Sequence, residues 1–337
     1  MTGKRVTIHD VAKAAGVSIT TVSRYLNQRY DAMSGETKVR IADVIANLHY
    51  RPNALAQGLK GNRSKMISVM VVNIGYPYNV SLIRALTHEL DPAGYNLLVC
   101  ESEGDKEREA HLLRSLVAQQ IDALVLQTNG DNNALVAEIA AQIPVILVDR
   151  RFDIPRVTCV VTDNESASAT LARALYREGY ERVLFVTERE DGVSTRQQRL
   201  DGYRRACGEY GRNPWIGYVD RGDPATFAAL VPEVETAAAG GPVSVYTANG
   251  LLMLKLYPAL RALSTTQTGR IGLATFDEPD WAPLVFPPLT CVRQPTAEIG
   301  AWVGKRLLAL LDGRGKLGKP ALRTLPSTLI WQKSTSL

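Results

Sequence analysis

The sequence has no long apolar run, few cysteines and no local catalytic signature. No stretch approaches the roughly 20 apolar residues that span a bilayer, and Met1 to Ser18 lacks the continuous apolar core of a signal peptide. Both absences predict a cytoplasmic protein with no membrane partner. Only four cysteines occur among 337 residues: Cys100, Cys159, Cys207 and Cys291. Their wide spacing argues against a disulfide framework or a zinc site and reads as small buried hydrophobes in a reducing compartment. The patterns GxxxxGK[ST], HExxH and GxSxG are missing, so no catalytic residue, cofactor or metal is assigned and the chain is expected not to be an enzyme. Paired acids do occur in TFDEPD, where acids at a strand end orient a ligand more readily than they catalyse. Behind the final TLIWQKSTSL there are no leucine heptads, which argues against a tetramer built on a C-terminal coiled coil.

What is present is lopsided. Residues 1–63 hold ten Lys/Arg against four Asp/Glu, while the whole chain is only +5; the remaining residues are therefore slightly acidic. A small polyanion-binding unit joined to a larger, nearly neutral body accounts for this better than a solvated basic tail, because periodic apolar residues run through the basic segment. The chain is also longer than one core usually organises, which points to two or three structural units.

Thr7 precedes Ile8, Val11 and Ala12, with Asp10 three positions on, as in a capping box. Gly16 ends that helix with the positive φ of a tight turn. Ser18 then caps a second helix, whose Val22 and Tyr25 or Leu26 face inward and whose Ile19, Thr20, Ser23, Arg24 and Asn27 face out. A third helix is expected over Ser34 to Leu48, with Val39, Ala42, Ile45 and Leu48 on one side. Two short helices closing over Ala12 and Gly16 have helix-turn-helix geometry, so the second helix enters a major groove N-terminus first. There Arg24 offers a bidentate pair to guanine, Thr20 reaches base edges and Ile19 meets a thymine methyl. The following RPNALAQGLKG is too short to hold a helix alone in water, and Gly58 weakens it further.

VTIHDVAKAAGVSITTVSRYLN followed by YRPNALAQGLKG resembles the headpiece and hinge of the LacI family of bacterial transcription factors. That resemblance implies a hinge that folds on operator DNA, with Leu59 wedging into the minor groove beside Asn53 and Ala56. It places DNA contacts at Thr7, Ser18, Ile19, Thr20, Thr21, Ser23, Arg24 and Asn27. Gly58 departs from the serine-like residue usual in that hinge.

From Lys65 on, apolar runs alternate with helix-like stretches. MISVMVVNI, NLLVCES, DALVLQT, PVILVD, CVVTD, RVLFVTE, WIGYVD, PVSVYTA, IGLATFD and LTCVRQ read as strands buried on both faces, as in parallel sheets covered by helices. Ten are too many for one ordinary sheet, so two doubly wound α/β subdomains are expected, with a ligand beyond the carboxyl ends of their strands. Asn73, Tyr78, Asp149, Arg150, Arg151, Arg196, Arg199, Asn249, Asp277 and Trp281 cluster at such ends. Acids, amides and arginines beside an aromatic suit a polyhydroxylated ligand.

The resemblance extends over this body. VILVDRR, RQQRLDGY, VYTANG, TFDEPDW and PPLTCVRQP are similar to the segments that line the family's effector cleft, which has a periplasmic-binding-protein-like fold. Asp149, Arg199, Asn249 and Asp277 match its sugar-binding positions and Tyr78 its aromatic lid, while Gly250 departs from the acid common after that asparagine. FDEPDWAPLVFPPLTCVRQP resembles the branch that regulates sugar-acid use, and Arg150, Arg151, Arg196 and Arg199 are more guanidinium groups than a neutral sugar needs.

The reading is therefore an effector-controlled repressor. It has a headpiece at 1–50, a hinge at 51–64 and an effector and dimerisation body at 65–337. The body divides into an N-subdomain (65–163 and 293–323) and a C-subdomain (164–292 and 324–337). Its partners are duplex operator DNA, a sugar acid such as 2-ketogluconate, and a second copy of the chain, since one headpiece reads too few base pairs. The rivals are a regulator answering to neutral sugars, a sugar-modifying enzyme fused to a DNA-binding domain, and a periplasmic sugar receptor.

Overall fold

The computed structural model describes residues 6–27, 29–31, 33–50, 63–189, 192–266, 270–315 and 321–337, with residues 264–266 described by backbone alone. Asn53, Ala56, Gly58 and Leu59 of the expected hinge lie outside the described residues. The chain divides into two compact units, Met1–Lys65 and Met66–Leu337.

The first unit contains α1 (Ile8–Ala15), α2 (Ile19–Leu26) and α3 (Gly35–Asn47). Side chains set each boundary. The Asp10 carboxylate accepts the Thr7 N–H at 2.8 Å and its hydroxyl at 2.7 Å. Gly16 closes α1 at φ 62°, and the Val17 N–H returns to the Ala12 carbonyl at 3.1 Å, as a left-handed terminus requires. Ser18 and Ser34 accept the Thr21 and Thr37 amides at 3.1 and 3.2 Å, satisfying N–H groups that the next two helices leave open. Val11, Ala12, Ala15, Val22 and Ile41 form the core. The face expected for α3 is corrected: Val39 is 60% exposed, whereas Ile41 is buried and Val44, Ile45 and Leu48 pack with it. At 100° per residue Val39 stands about 200° from Ile41, so both cannot face the core.

The second unit contains two six-stranded sheets. The first is ordered β11-β5-β4-β3-β1-β2, from β1 (Met66–Val71), β2 (Asn96–Glu101), β3 (Ala123–Leu126), β4 (Val145–Val148), β5 (Thr158–Thr162) and β11 (Ala321–Leu325). The second is ordered β12-β10-β9-β8-β6-β7, from β6 (Arg182–Thr187), β7 (Trp215–Tyr218), β8 (Val243–Thr247), β9 (Ile271–Phe276), β10 (Thr290–Arg293) and β12 (Thr328–Ile330). All neighbours are parallel except β12, which runs antiparallel to β10. The ten expected strands all form; β11 and β12 were not anticipated. β11 lies at an edge with four of its five residues exposed, so ALRTL carries no buried apolar run.

The remaining long helices are α4 (Pro77–Leu90), α5 (Lys106–Ala118), α6 (Asn133–Ala140), α7 (Asn164–Glu178), α8 (Ser194–Glu209), α9 (Pro224–Ala228), α10 (Leu230–Gly240), α11 (Gly250–Thr266) and α12 (Thr296–Leu311). Strand alternation assigns them to faces. Ile67, Val69 and Val71 pack with Leu82 and Leu86 of α4 and Ile299 and Val303 of α12. Met70 points the other way, with Leu113 of α5 and Val136 of α6. Three crossovers join the sheets: between β5 and α7, between β10 and α12, and between β11 and β12.

Candidate functional site

A cleft of about 510 Å³, open to solvent, lies where the strand ends of the two sheets meet. In each sheet the strand order reverses beside a central strand, between β1 and β3 and between β6 and β8, and side chains just past such strands converge there. Gln127, Asp149 and Arg150 follow β3 and β4. Glu188, Asn249, Asp277 and Gln294 follow β6, β8, β9 and β10, while Arg196 and Arg199 come from α8 and Tyr76 and Tyr78 from the start of α4.

The two aspartates are held alike. Asp149 takes a hydrogen bond from the Gln127 amide at 2.6 Å and Asp277 one from the Gln294 amide at 2.5 Å. Both have left-handed backbones, φ 68° and 74°, a conformation that aspartate tolerates better than most residues and that recurs at functional sites. Burial raises the Asp149 carboxyl above its ordinary value, against the pull of Arg150 and Arg199. Burial also pushes the Tyr78 hydroxyl well above the usual phenol range, so it stays protonated as a donor. That hydroxyl has no hydrogen-bond partner among the described residues, and neither has Arg150 Nε.

The arginines differ in what they have left to offer. Arg199 donates from Nε to Asn164 Oδ1 and from Nη1 to the Ala248 carbonyl, both at 2.8 Å, with its guanidinium 3.7 Å from the Phe276 ring centre. Arg196 is bound to Glu188 at 2.9 Å, and the same carboxylate oxygen accepts from Arg221 at 2.8 Å. Arg150 donates to the Thr128 carbonyl and to Asn129 Oδ1, and its Nε is ion-paired with Asp149 at 3.9 Å. Burial lowers its pKa, opposed by Asp149.

Tyr78, Asp149, Arg150, Arg196, Arg199, Asn249 and Asp277 are brought together, and three expected residues are not. Asn73 closes the turn after β1, accepting the Gly75 N–H at 2.7 Å. Arg151 is exposed in a separate groove with Gln198 and Arg205, because the chain turns outward one residue after Arg150. Trp281 packs against the second sheet's core, its ring 6.0 Å from that of Tyr257; Tyr76 and Tyr78 supply the cleft's aromatic surface. Sequence reading missed Gln127, Glu188, Thr195, Gln294 and Tyr76. Gln127, Glu188 and Gln294 are polar residues at the ends of DALVLQT, RVLFVTE and LTCVRQ, a signal available to the same strand-end rule.

In the first unit Ile19, Thr20, Arg24 and Asn27 are exposed along one side of α2. Ser18 and Thr21 are joined through their hydroxyls at 2.9 Å, and the Asn27 amide reaches the Ser23 carbonyl at 2.7 Å. Thr7 gives its hydroxyl to Asp10.

Residues 7–53 match the model of the bacterial regulatory proteins of the lacI family. Residues 64–232 match that of periplasmic binding proteins and the sugar binding domain of the LacI family, and 172–335 a periplasmic binding protein-like domain. The chain belongs to the LacI family. It is 32% identical over 331 residues to the HTH-type transcriptional regulator KdgR of Bacillus subtilis, covering 97% of each chain. It is 35% identical over 333 residues to the HTH-type transcriptional regulator PtxS of Pseudomonas aeruginosa, covering 98% of this chain and 96% of that one. The lac repressor dimer bound to operator and the anti-inducer ONPF has the same fold, with a TM-score of 0.82 and 22% identity over 99% of this chain and all of that one. This LacI-family member is a DNA-binding transcriptional regulator with the expected architecture: a helix-turn-helix headpiece, then two α/β subdomains of periplasmic-binding-protein type. No helix among the described residues is long and apolar enough to cross a membrane.

Proposed function

We propose that this regulator is a cytoplasmic repressor, active as a homodimer, whose operator affinity is set by a sugar acid of the 2-ketogluconate type bound in the cleft. The observation that carries the reading is the pairing of two aspartates, suited to sugar hydroxyls, with Arg150 Nε and Tyr78 OH, donors that make no hydrogen bond among the described residues and suit an anionic or oxygen-rich group. Similarity to KdgR and PtxS over nearly the whole chain supports the sugar-acid branch.

In this proposal residues 1–50 bind operator and 51–64 form the hinge, with Asn53, Ala56 and Leu59 at the minor groove. The body divides at 163/164, 292/293 and 323/324. Thr7, Ser18, Ile19, Thr20, Thr21, Ser23, Arg24 and Asn27 contact DNA. An effector preferring one closure angle shifts the population of the two-state cleft, alters the paired geometry of the hinges and changes operator affinity. Because Arg196 is already engaged by Glu188, a neutral sugar is the second reading. Calorimetry with neutral sugars and sugar acids, paired with gel shifts, decides: tight binding of neutral sugars alone overturns the sugar-acid assignment. Operator binding by a chain lacking residues 1–60, equal to that of the intact protein, overturns the headpiece assignment.

A further inference from the structure

Two cleft residues are tied to one point in the crossovers. Gln294 donates to the Asp277 carboxylate at 2.5 Å and accepts the Thr162 hydroxyl at 2.6 Å. On the other side, Asn164 accepts from Arg199 Nε at 2.8 Å and donates to the Thr162 carbonyl at 3.1 Å. An acid and a base of the cleft thus each stand one amide away from the last residue of β5, where the chain leaves the first sheet.

We infer that Gln294 and Asn164 are positioning residues that transmit effector occupancy from Asp277 and Arg199 to the crossovers through Thr162. The inference deepens the effector reading above and rests on it.

Three features support transmission over mere packing. Thr162, Asn164 and Gln294 are 2%, 1% and 7% exposed, so water does not replace a bond that breaks. Each amide is engaged at both its oxygen and its nitrogen. A ligand that shifts Asp277 or Arg199 therefore either carries the amide along or breaks a bond. Residue 163 also holds another crossover: its N–H donates to the Leu325 carbonyl at 3.2 Å and its carboxylate accepts the Ser327 N–H at 2.8 Å. Residues 162–164 thereby touch all three connections between the sheets. A movement that reaches Thr162 is passed to each connection, which suits a hinge whose halves close as rigid bodies.

Thr162→Val tests this, because it removes the hydroxyl at little change in volume and Thr162 does not line the effector cleft. The full-length chain is measured for 2-ketogluconate binding by calorimetry. Its affinity for a duplex selected from a random library is measured by fluorescence anisotropy, without the ligand and at saturation. The expected result is near-wild-type affinity for each partner alone, with the ligand-induced change in duplex affinity reduced by roughly threefold or more and restored in Thr162→Ser. Asn164→Asp, which keeps the acceptor facing Arg199 and loses the donor facing Thr162, reduces the change likewise and serves if Thr162→Val unfolds. A full response in both variants beside a responsive wild type overturns the relay and leaves the effector reading standing. A wild type that answers neither to 2-ketogluconate nor to any sugar in the panel overturns the effector reading, and the relay with it.

Discussion

Asp149 and Asp277 occupy equivalent positions in the two sheets, each one residue past a central strand, each left-handed, and each gripped by a glutamine amide from a neighbouring strand end. The cleft therefore offers two carboxylates whose orientation is fixed before a ligand arrives, which reduces the ordering cost of binding.

Asp277→Asn keeps an acceptor for the Gln294 amide but removes the charge that strengthens hydrogen bonds to sugar hydroxyls. Effector affinity is expected to fall by about 1.5–3 kcal/mol, the usual worth of a charge-assisted bond, while operator affinity without effector is unchanged. Calorimetry and gel shifts on the same preparation check both halves.

On the proposed sugar-acid reading, Arg150 is the residue expected to discriminate between acids and neutral sugars. Arg150→Gln is expected to weaken binding of a sugar acid by about tenfold or more while leaving a neutral sugar of the same skeleton less affected, because Arg150 lines the cleft and its Nε makes no hydrogen bond among the described residues. Equal losses for both ligands count against the assignment.

Asp149 carries a pH signature. Burial raises its carboxyl above the ordinary value, so the folded chain releases this proton at a higher pH than the unfolded chain does. The group's contribution to stability is then full below the unfolded value, near pH 3.9, and is lost as pH rises through the folded value. Asp149→Asn avoids that loss. Calorimetric melting is expected to give a higher Tm than wild type at pH 7 without effector, the gap closing toward pH 4.

The headpiece stands on a small core. Ile41→Ala empties the centre of the first unit and is expected to cost about 2–5 kcal/mol there, abolishing operator binding while effector binding by the second unit persists. Arg24→Ala leaves that core intact and is expected to cost about 1–3 kcal/mol of preference for the selected duplex over random DNA. Competition gel shifts separate the two effects.

Close helix packing in the second sheet's layer depends on Gly202. A Cβ there falls 2.1 Å from the Glu165 carbonyl oxygen, a backbone atom that cannot swing aside. Gly202→Ala is expected to separate α7 from α8 at a cost of about 1–3 kcal/mol, read as a lower Tm.

Local signals revealed much of this organisation. Thr7, Ser18 and Ser34 mark helix starts through their capping hydroxyls and Gly16 a helix end through its left-handed backbone, and the continuous apolar runs identified ten parallel strands. Polar residues closing those runs named four members of the cleft, Asp149, Arg150, Asn249 and Asp277, and Tyr78, Arg196 and Arg199 came from neighbouring helices. The edge strands β11 and β12 escaped because an exposed edge needs no apolar pattern, and the inward side of α3 was misread because Val39 is apolar yet exposed.

The sequence by itself determined the three headpiece helices and ten of the twelve strands, that a basic three-helix unit precedes a body with parallel sheets, and that acids, amides and arginines stand at strand ends. Only the tertiary structure decided which of those residues meet: Arg151 and Trp281 leave the cleft, Gln127 and Gln294 enter it, and Thr162 is joined to Asp277 across 115 residues of chain. Periodicity and capping are properties of neighbours along the backbone, whereas convergence at a cleft depends on how two sheets twist and stack.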